Sequence, residues 1–452
     1  MAEQRIDITE LIDRQRIGAF QKKIAALCAA IAFLEGFNTQ SVGYIAPVLA
    51  QIFHLQAGQL GLFFSLGLFG LLCGALFVAP LADRIGRRTV LLYCVPVLGM
   101  FALLTAFSTS LAMLDATRFA TGLAIGGALP NTIALTSEYA PRRRRAVMVA
   151  VMFSGFIVGS IVAALTAGWL VSAGWKSVFI VGGSLCLVVA PILLAQLPES
   201  VRFLVRRGAD PARIARLIEQ LFPALALSPG VTFTAAEESA ARVSVRALFD
   251  DGRAKSTVLL WIVSFTSLFN IFLMANWLPT EMRTLGFPIQ IAILVGAVLQ
   301  VGGLCGIFFG WLADRIGANI ALSLAYLTGA IGVVLIPLAG ATPVPVMAAV
   351  FATGFGILGG QTVTNAVCAM FYPTEIRSTG IGWATGIGRA GSIIGPGLAG
   401  ILLQISIPAK YVILLAVIPA LIAATAAFLL DRIRGAFSAS EEPLALQTIE
   451  RV

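Results

Sequence analysis

Leu81-Ala82-Asp83-Arg84-Ile85-Gly86 is repeated letter for letter at Leu312 to Gly317, and each copy follows directly on a long apolar run. A second string, FATG, begins at Phe119 and again at Phe351, so one pair is offset by 231 residues and the other by 232. Two unrelated strings at nearly the same offset make the chain an internal duplication with halves of roughly 200 residues. A repeated unit built of apolar segments is the pattern of a membrane bundle made from two related halves.

Composition carries the same reading. Apolar residues make up 58% of the 452 residues and charged ones 12%, the mean hydropathy is +0.93, and an average soluble domain is about 25% charged. Apolar stretches of about 20 residues fall at 24–50, 59–81, 89–107, 111–138, 146–171, 177–196, 256–278, 289–312, 318–338, 344–371, 380–405 and 409–430. The fold class expected is therefore all-α integral membrane, with twelve transmembrane helices in two pseudo-symmetric six-helix bundles. The bundles span 24–196 and 256–430. Residues 1–23 precede them, 197–255 link them and 431–452 form a tail.

With the N-terminus inside, cytoplasmic segments hold 26 of the 31 Lys and Arg residues, and the loops of the other side hold only Lys176, Arg283 and Lys410. Basic residues stay on the cytoplasmic side, which places both termini there. The net charge of +9 is thereby spent on topology, and no basic patch with interleaved aromatics points to nucleic acid. Gln4 to Gln21 reads as a short amphipathic helix on the membrane surface rather than a signal peptide. The linker, with PARIARLIEQL at 211–221, reads as one or two short helices. The six cysteines lie in apolar segments without metal-ligand spacing. No GxxxxGK[ST] nucleotide loop is present. No metal, cofactor or obligate protein partner is expected, and the lipid bilayer is the surrounding partner.

APLADRIGRR (Ala79 to Arg88) resembles the loop between the second and third helices of the major facilitator superfamily, with Ala79 where that pattern has Gly, and GWLADRIGAN (Gly310 to Asn319) is its weaker copy. RFATG (Arg118 to Gly122), GFIVG (Gly155 to Gly159) and LPESVRFL (Leu197 to Leu204) agree with it. In such a loop Asp83 can cap a neighbouring helix N-terminus, while Arg87 and Arg88 can reach a carboxylate such as Glu138. Asp83, Arg84, Arg87, Arg88, Glu138, Arg145, Asp314, Arg315 and Arg377 are the gating candidates. More narrowly, EGFNTQSVGYIAP (Glu35 to Pro47), ALPNTIALTSEYAP (Ala128 to Pro141) and GGQTVTNAVCAMFYPTEIRSTGIGWATGIGRAGSIIGP (Gly359 to Pro396) are similar to the first, fourth, tenth and eleventh helices of the aromatic acid:proton symporters. Within that family the chain resembles most the 3-(3-hydroxyphenyl)propionate transporters. Asn38 stands where the family usually has a second acidic residue.

An ionised side chain at membrane depth costs about 2.5 to 3.5 kcal/mol on insertion scales, so each one is a functional candidate. At 1.5 Å rise per residue, Glu35 lies about 18 Å beyond Lys23, Arg389 about 14 Å into its helix and Arg118 about 10 Å from the far surface. Glu35, with Asn38 and Thr39 on its helix face, is read as the proton carrier and Arg118 as its partner, an acid and an arginine that related sugar:proton symporters place on the first and fourth helices. Arg389 has no obvious acidic partner on the second-half segments and is read as the receptor of a substrate carboxylate, which its planar fork matches. Asn38, Gln300, Gln361, Thr364 and Asn365 are uncharged donors for a second carboxylate oxygen or a phenolic hydroxyl. Phe33, Phe37, Phe153, Phe156, Phe265, Phe269 and Trp383 are candidate ring walls, and His54 is a surface-loop residue.

The resemblance implies a symporter that imports an aromatic carboxylate, such as a hydroxybenzoate or phenylpropionate, with protons across the inner membrane by alternating access, driven by the proton gradient. A proton-driven exporter of drugs or other organic solutes and a sugar porter of the same fold are the alternatives. An exporter of cations predicts a second carboxylate in the cavity, where this chain offers an Arg and an Asn. An enzyme would need a cluster of catalytic residues, and none is visible.

Overall fold

The computed structural model describes residues 5–15, 17–223, 231–234, 244–373 and 376–432. Most of the expected tail and parts of the linker lie outside them. Twelve long helices carry the fold: α1 (Ala19–Ile52), α2 (Ala57–Ile85), α3 (Arg87–Ala106), α4 (Leu111–Glu138), α5 (Arg142–Ala173), α6 (Lys176–Gln196), α7 (Ala254–Thr284), α8 (Ile289–Ile316), α9 (Ala318–Leu338), α10 (Pro343–Phe371), α11 (Arg377–Gln404) and α12 (Ala409–Arg432). Eleven are long and apolar enough to cross a membrane, and α1 makes twelve when taken with the short helix before it. Each matches an apolar segment read from the sequence. Several overrun it by a few residues because polar residues at a membrane surface continue a helix as readily as they end one.

By contact the chain divides into two compact units, one of residues 1–49 with 66–239 and the other of 50–65 with 240–452. In the first, the FATG glycine seats α4 on α2: a Cβ on Gly122 would lie 2.0 Å from the Gly67 carbonyl oxygen. In the second, Gly354 of the other FATG seats α10 on α8, its Cβ 2.0 Å from the Leu299 oxygen. The repeated letters are repeated helix contacts, because only a glycine lets two backbones approach so closely. Gly36, Gly155 and Gly159 bring α1 onto α5, and Gly391 and Gly395 bring α11 onto α7.

The repeat extends to its irregularities. A π-turn at Gly74–Val78 deforms α2 just before the first LADRIG, and α8 breaks at Gly306 and Ile307 just before the second. Gly86 and Gly317 end the two copies with φ of 100° and 94°, a left-handed turn that any other residue adopts at a cost. Lipid-facing apolar residues cover the surface; Trp169, Leu338 and Phe77 are 70% to 80% exposed, a solution that only a hydrocarbon solvent stabilises.

The N-terminal segment differs from its reading. Residues Arg5–Asp7 pair in parallel with Thr232–Thr234, and the helix Ile8–Arg14 is capped by the Asp7 carboxylate, which accepts from Thr9 N at 2.7 Å. Its apolar residues Ile8 and Ile12 are buried in one core with Leu204, Ile214, Ile218 and Leu221 of the linker helices Val201–Arg206 and Pro211–Leu221. The apolar face of this short helix is taken up by protein, not by the membrane surface, because the linker supplies a matching stripe at helical spacing.

Candidate transport site

At the first LADRIG loop, Arg87 is the hub. Its Nη2 donates to Asp83 Oδ1 at 2.9 Å and its Nε lies 3.3 Å from Glu138 Oε1, with the arginine side chain 10% exposed. The pairing with Glu138 read from the sequence is present. The cap assigned to Asp83 is not: no side chain of the loop caps α3, and the carboxylate at the start of that helix is Glu199 of LPES. Glu199 Oε1 accepts from Arg88 N at 3.1 Å and Ser200 N at 2.9 Å, and its carbonyl accepts from the Tyr139 hydroxyl at 2.6 Å. Asp83 is too exposed, at 68% of its side chain, and faces Arg87 instead. Arg88 Nη2 donates to the Leu194 carbonyl at 2.7 Å, and Arg207 donates to the carbonyl of Arg84.

Every one of these partners lies in the first unit, so the cluster ties the ends of α2, α3, α4 and α6 to the linker helices. Its copy in the second half builds no such cluster: Arg315 stacks on Trp311, 4.3 Å from the ring centroid, and Asp314 is exposed with no ion pair among the described residues. Arg377 Nε donates to the Tyr372 carbonyl at 3.2 Å, and Arg145 is half-buried at the start of α5. The second LADRIG keeps the turn and drops the ion pairs. Among the described residues neither Glu138 nor Glu199 has a counterpart beside it.

Deeper in the first unit, Glu35 is fully buried and Arg118 is 8% exposed. Arg118 Nη1 donates to the Asn38 carbonyl oxygen at 3.3 Å, which fastens α4 to α1 one turn beyond Glu35. Gly67 leaves room for the guanidinium, since a Cβ there would stand 3.4 Å from Arg118 Nε. The Asn38 side chain points elsewhere. Its Nδ2 donates to the Leu34 carbonyl at 2.9 Å and lies 3.5 Å from Cys186 Sγ on α6, and Gly182 of α6 packs on its Oδ1. Asn38 is a helix-packing amide.

In the second unit Arg389 is half-buried on α11. Gly386 and Gly382 precede it by one and two turns on the same face, and neither would find an atom within 4 Å of a Cβ. Thr385, exposed, lies between the two glycines one turn before the arginine, so the open surface ahead of Arg389 is confined to the two glycine positions. On α10, Gln361 Nε2 donates to Asn365 Oδ1 at 3.0 Å, one turn apart, and the Gln361 Oε1 atom has no hydrogen-bond partner. Thr364 faces the other way, 2.8 Å from the buried Tyr326 hydroxyl of α9. Gln300 is 3% exposed on α8. Two polar residues of α7 escaped the sequence reading: Ser267 and Asn270 are fully buried, and both atoms of the Asn270 amide lack a partner among the described residues. Their signal was only polarity within an apolar run. The aromatic candidates pack on neighbouring rings: Phe153 stacks on Phe156 at 5.6 Å and Trp383 on Trp261 at 5.8 Å, while Phe33 with Phe37 and Phe265 with Phe269 form tilted pairs.

The chain matches the sequence profile described as Major Facilitator Superfamily over residues 28–342 and 260–449. It is 37% identical to the gallate transporter of Pseudomonas putida over 424 residues, covering 93% of this chain and 94% of that protein. The chain belongs to the major facilitator superfamily, among its aromatic acid transporters. Two further relatives are the 4-hydroxybenzoate transporter PcaK of Pseudomonas aeruginosa, 36% identical over 95% of this chain and 96% of that protein, and the 3-(3-hydroxy-phenyl)propionate transporter of Escherichia coli, 34% identical over 84% and 86%. A bacterial homolog of the human lysosomal transporter Spinster, solved in an inward-facing and occupied conformation, has the same fold, with a TM-score of 0.71 at 17% identity over 92% of this chain and 97% of that one. The family is one of multi-pass membrane transporters and not of enzymes.

Proposed function

We propose that this chain imports a hydroxylated benzoate or a related aromatic carboxylate together with protons across the inner membrane, with both termini in the cytoplasm. The observation that carries the substrate class is full-length similarity to proteins named for gallate and 4-hydroxybenzoate, joined to a half-buried Arg389 preceded on α11 by the open positions Gly382 and Gly386. A guanidinium fork binds a carboxylate through two parallel hydrogen bonds. The open space over Gly382 and Gly386 leaves room for a flat ring, and the Gln361–Asn365 pair offers amides to a ring hydroxyl. Proton coupling is assigned to Glu35, the buried carboxylate of α1, because a carboxylate in an apolar bundle exchanges its proton as its surroundings open and close. Positive charge in the loops supports the orientation.

The test is uptake of labelled 4-hydroxybenzoate into vesicles under an imposed proton gradient. Accumulation above the outside concentration is expected in wild type, and exchange without accumulation in Glu35→Gln. Full accumulation by that variant would remove Glu35 from the coupling role; failure of gallate, 4-hydroxybenzoate and 3-phenylpropionate alike to bind would remove the substrate class.

A further inference from the structure

The last turn of α7 holds a further buried carboxylate, besides Glu35 and Glu199. Glu281 is 1% exposed, its Oε1 has no hydrogen-bond partner among the described residues, and the Thr284 hydroxyl, which donates at 2.7 Å to the Glu281 backbone oxygen, reaches Oε2 only at 3.5 Å. No ion pair reaches it among the described residues. Arg283, on the same helix, is exposed and donates to the Phe287 carbonyl at 2.8 Å. The facing ends of α8, α10, α11 and residues 57–65 of α2 carry no acidic or basic side chain. At the start of α12, Lys410 lies 4.9 Å from the ring of its neighbour Tyr411, and His54 is exposed ahead of α2. Burying a carboxylate with no cation and only one long hydrogen bond is unfavourable unless it keeps its proton.

Glu281 sits at a contact of the second unit that alternating access has to break. One turn earlier on the same face of α7, Trp277 donates through Nε1 to the Pro396 carbonyl at 3.0 Å and meets the Phe64 ring edge-on at 5.5 Å. Phe64 belongs to the first turns of α2, which are pressed on α11: a Cβ on Gly61 would lie 2.9 Å from Gly400 Cα, and Ser65 donates to the Ile393 carbonyl at 2.8 Å. This contact is at the end of the helices opposite the LADRIG loops. It joins a helix of the first repeat to two of the second.

We propose that Glu281 is a proton-binding site that latches this end of the transporter: docking of residues 57–65 on α7 and α11 buries the carboxylate and takes up one proton, and undocking exposes it and releases the proton to the same side. The inference rests on the orientation proposed above, which makes that side external. Proton uptake and release face the same compartment, so the latch adds nothing to the number of protons moved per substrate. It sets how readily the outer side closes. Once exposed, Glu281 is an ordinary carboxylate, ionised above about pH 4.3. Since the closed state binds one proton more than the open state, the open-to-closed ratio rises with pH by up to about tenfold per unit, and acid favours closure.

Spin labels at the exposed Gln59 and Gln290 positions, in protein held in lipid nanodiscs, report docking by electron–electron distance measurement between about pH 5.5 and about pH 8. The experiment is run in the Glu35→Gln background, so the other carboxylate cannot supply the response and a failure of the coupling assignment to Glu35 leaves the outcome readable. The expected result is a long-distance population that grows with pH in this background and is flat with pH once Glu281→Gln is added. An undiminished pH response after Glu281→Gln overturns the proposal, as does a flat response before it. Glu281→Met, apolar and of similar length, replaces Gln if that variant does not fold, and His54→Gln is expected to leave the slope unchanged.

Discussion

Arg389 and the open glycine positions ahead of it make the sharpest residue-level claims. Arg389→Lys keeps the charge but loses the fork, so its affinity for 4-hydroxybenzoate is expected to fall at least about tenfold, about 1.4 kcal/mol, nearly as far as for Arg389→Ala. Titration calorimetry on purified protein, with the uncharged amide of the ligand as control, measures it; equal wild-type affinity for acid and amide would end the carboxylate assignment. Gly386→Leu tests the open space. No atom lies within 4 Å of a Cβ at this position, so the variant is expected to fold with unchanged or slightly raised stability and to bind substrate poorly. Tight binding by a stable Gly386→Leu protein would place the ring elsewhere. Glu35 and Arg389 were legible in the sequence because a charge in an apolar run announces itself. Tyr326, Ser267 and Asn270 were not, since a neutral polar residue there reads equally well as a helix-packing contact.

At the scale of elements, a glycine's part depends on the partner helix. Gly36→Ala would drive a Cβ to 2.0 Å from the Phe156 oxygen, prying α1 from α5. A loss of about 1 to 3 kcal/mol is expected, read as a lower unfolding temperature and lost transport, because α1 carries Glu35. The loop cluster separates two carboxylates that look alike in sequence. Glu199 is 7% exposed and accepts from the Arg88 N–H at the α3 end and from the N–H of the adjacent Ser200, so Glu199→Gln should destabilise by about 1 kcal/mol. Asp83 is 68% exposed, and the stability change for Asp83→Asn should stay below about 0.5 kcal/mol. The reverse order in thermal unfolding would return the capping role to Asp83. LADRIG was legible as a repeat and as a turn, but the capping carboxylate lies 111 residues from the N–H it holds, a distance no local pattern bridges.

For the whole molecule, orientation and ligand response are the measurable quantities. A green fluorescent protein fused after Val452 is expected to fluoresce and an alkaline phosphatase to be inactive there, as for a cytoplasmic end; the opposite pair of results would invert the topology and with it the side on which Glu281 exchanges protons. A carboxylate ligand at about one hundred times its Kd should add about 2.7 kcal/mol of apparent stability, which thermal shift detects for gallate or 4-hydroxybenzoate and not for the matching amide. The sequence by itself determined the membrane class, the duplication, the twelve apolar helices and the superfamily. These follow from properties summed along the chain: hydropathy over about 20 residues, a repeat offset and the sign of loop charge. Only the tertiary structure decided that Glu199 rather than Asp83 holds the α3 end, that the first helix docks on the linker, that Asn38 packs on α6, and that Glu281 is buried with no cation beside it among the described residues. Each is a matter of which side chain meets which across a helix interface. Such meetings are set by backbone approach at glycines and by rotation about helix axes, and a linear pattern does not record either.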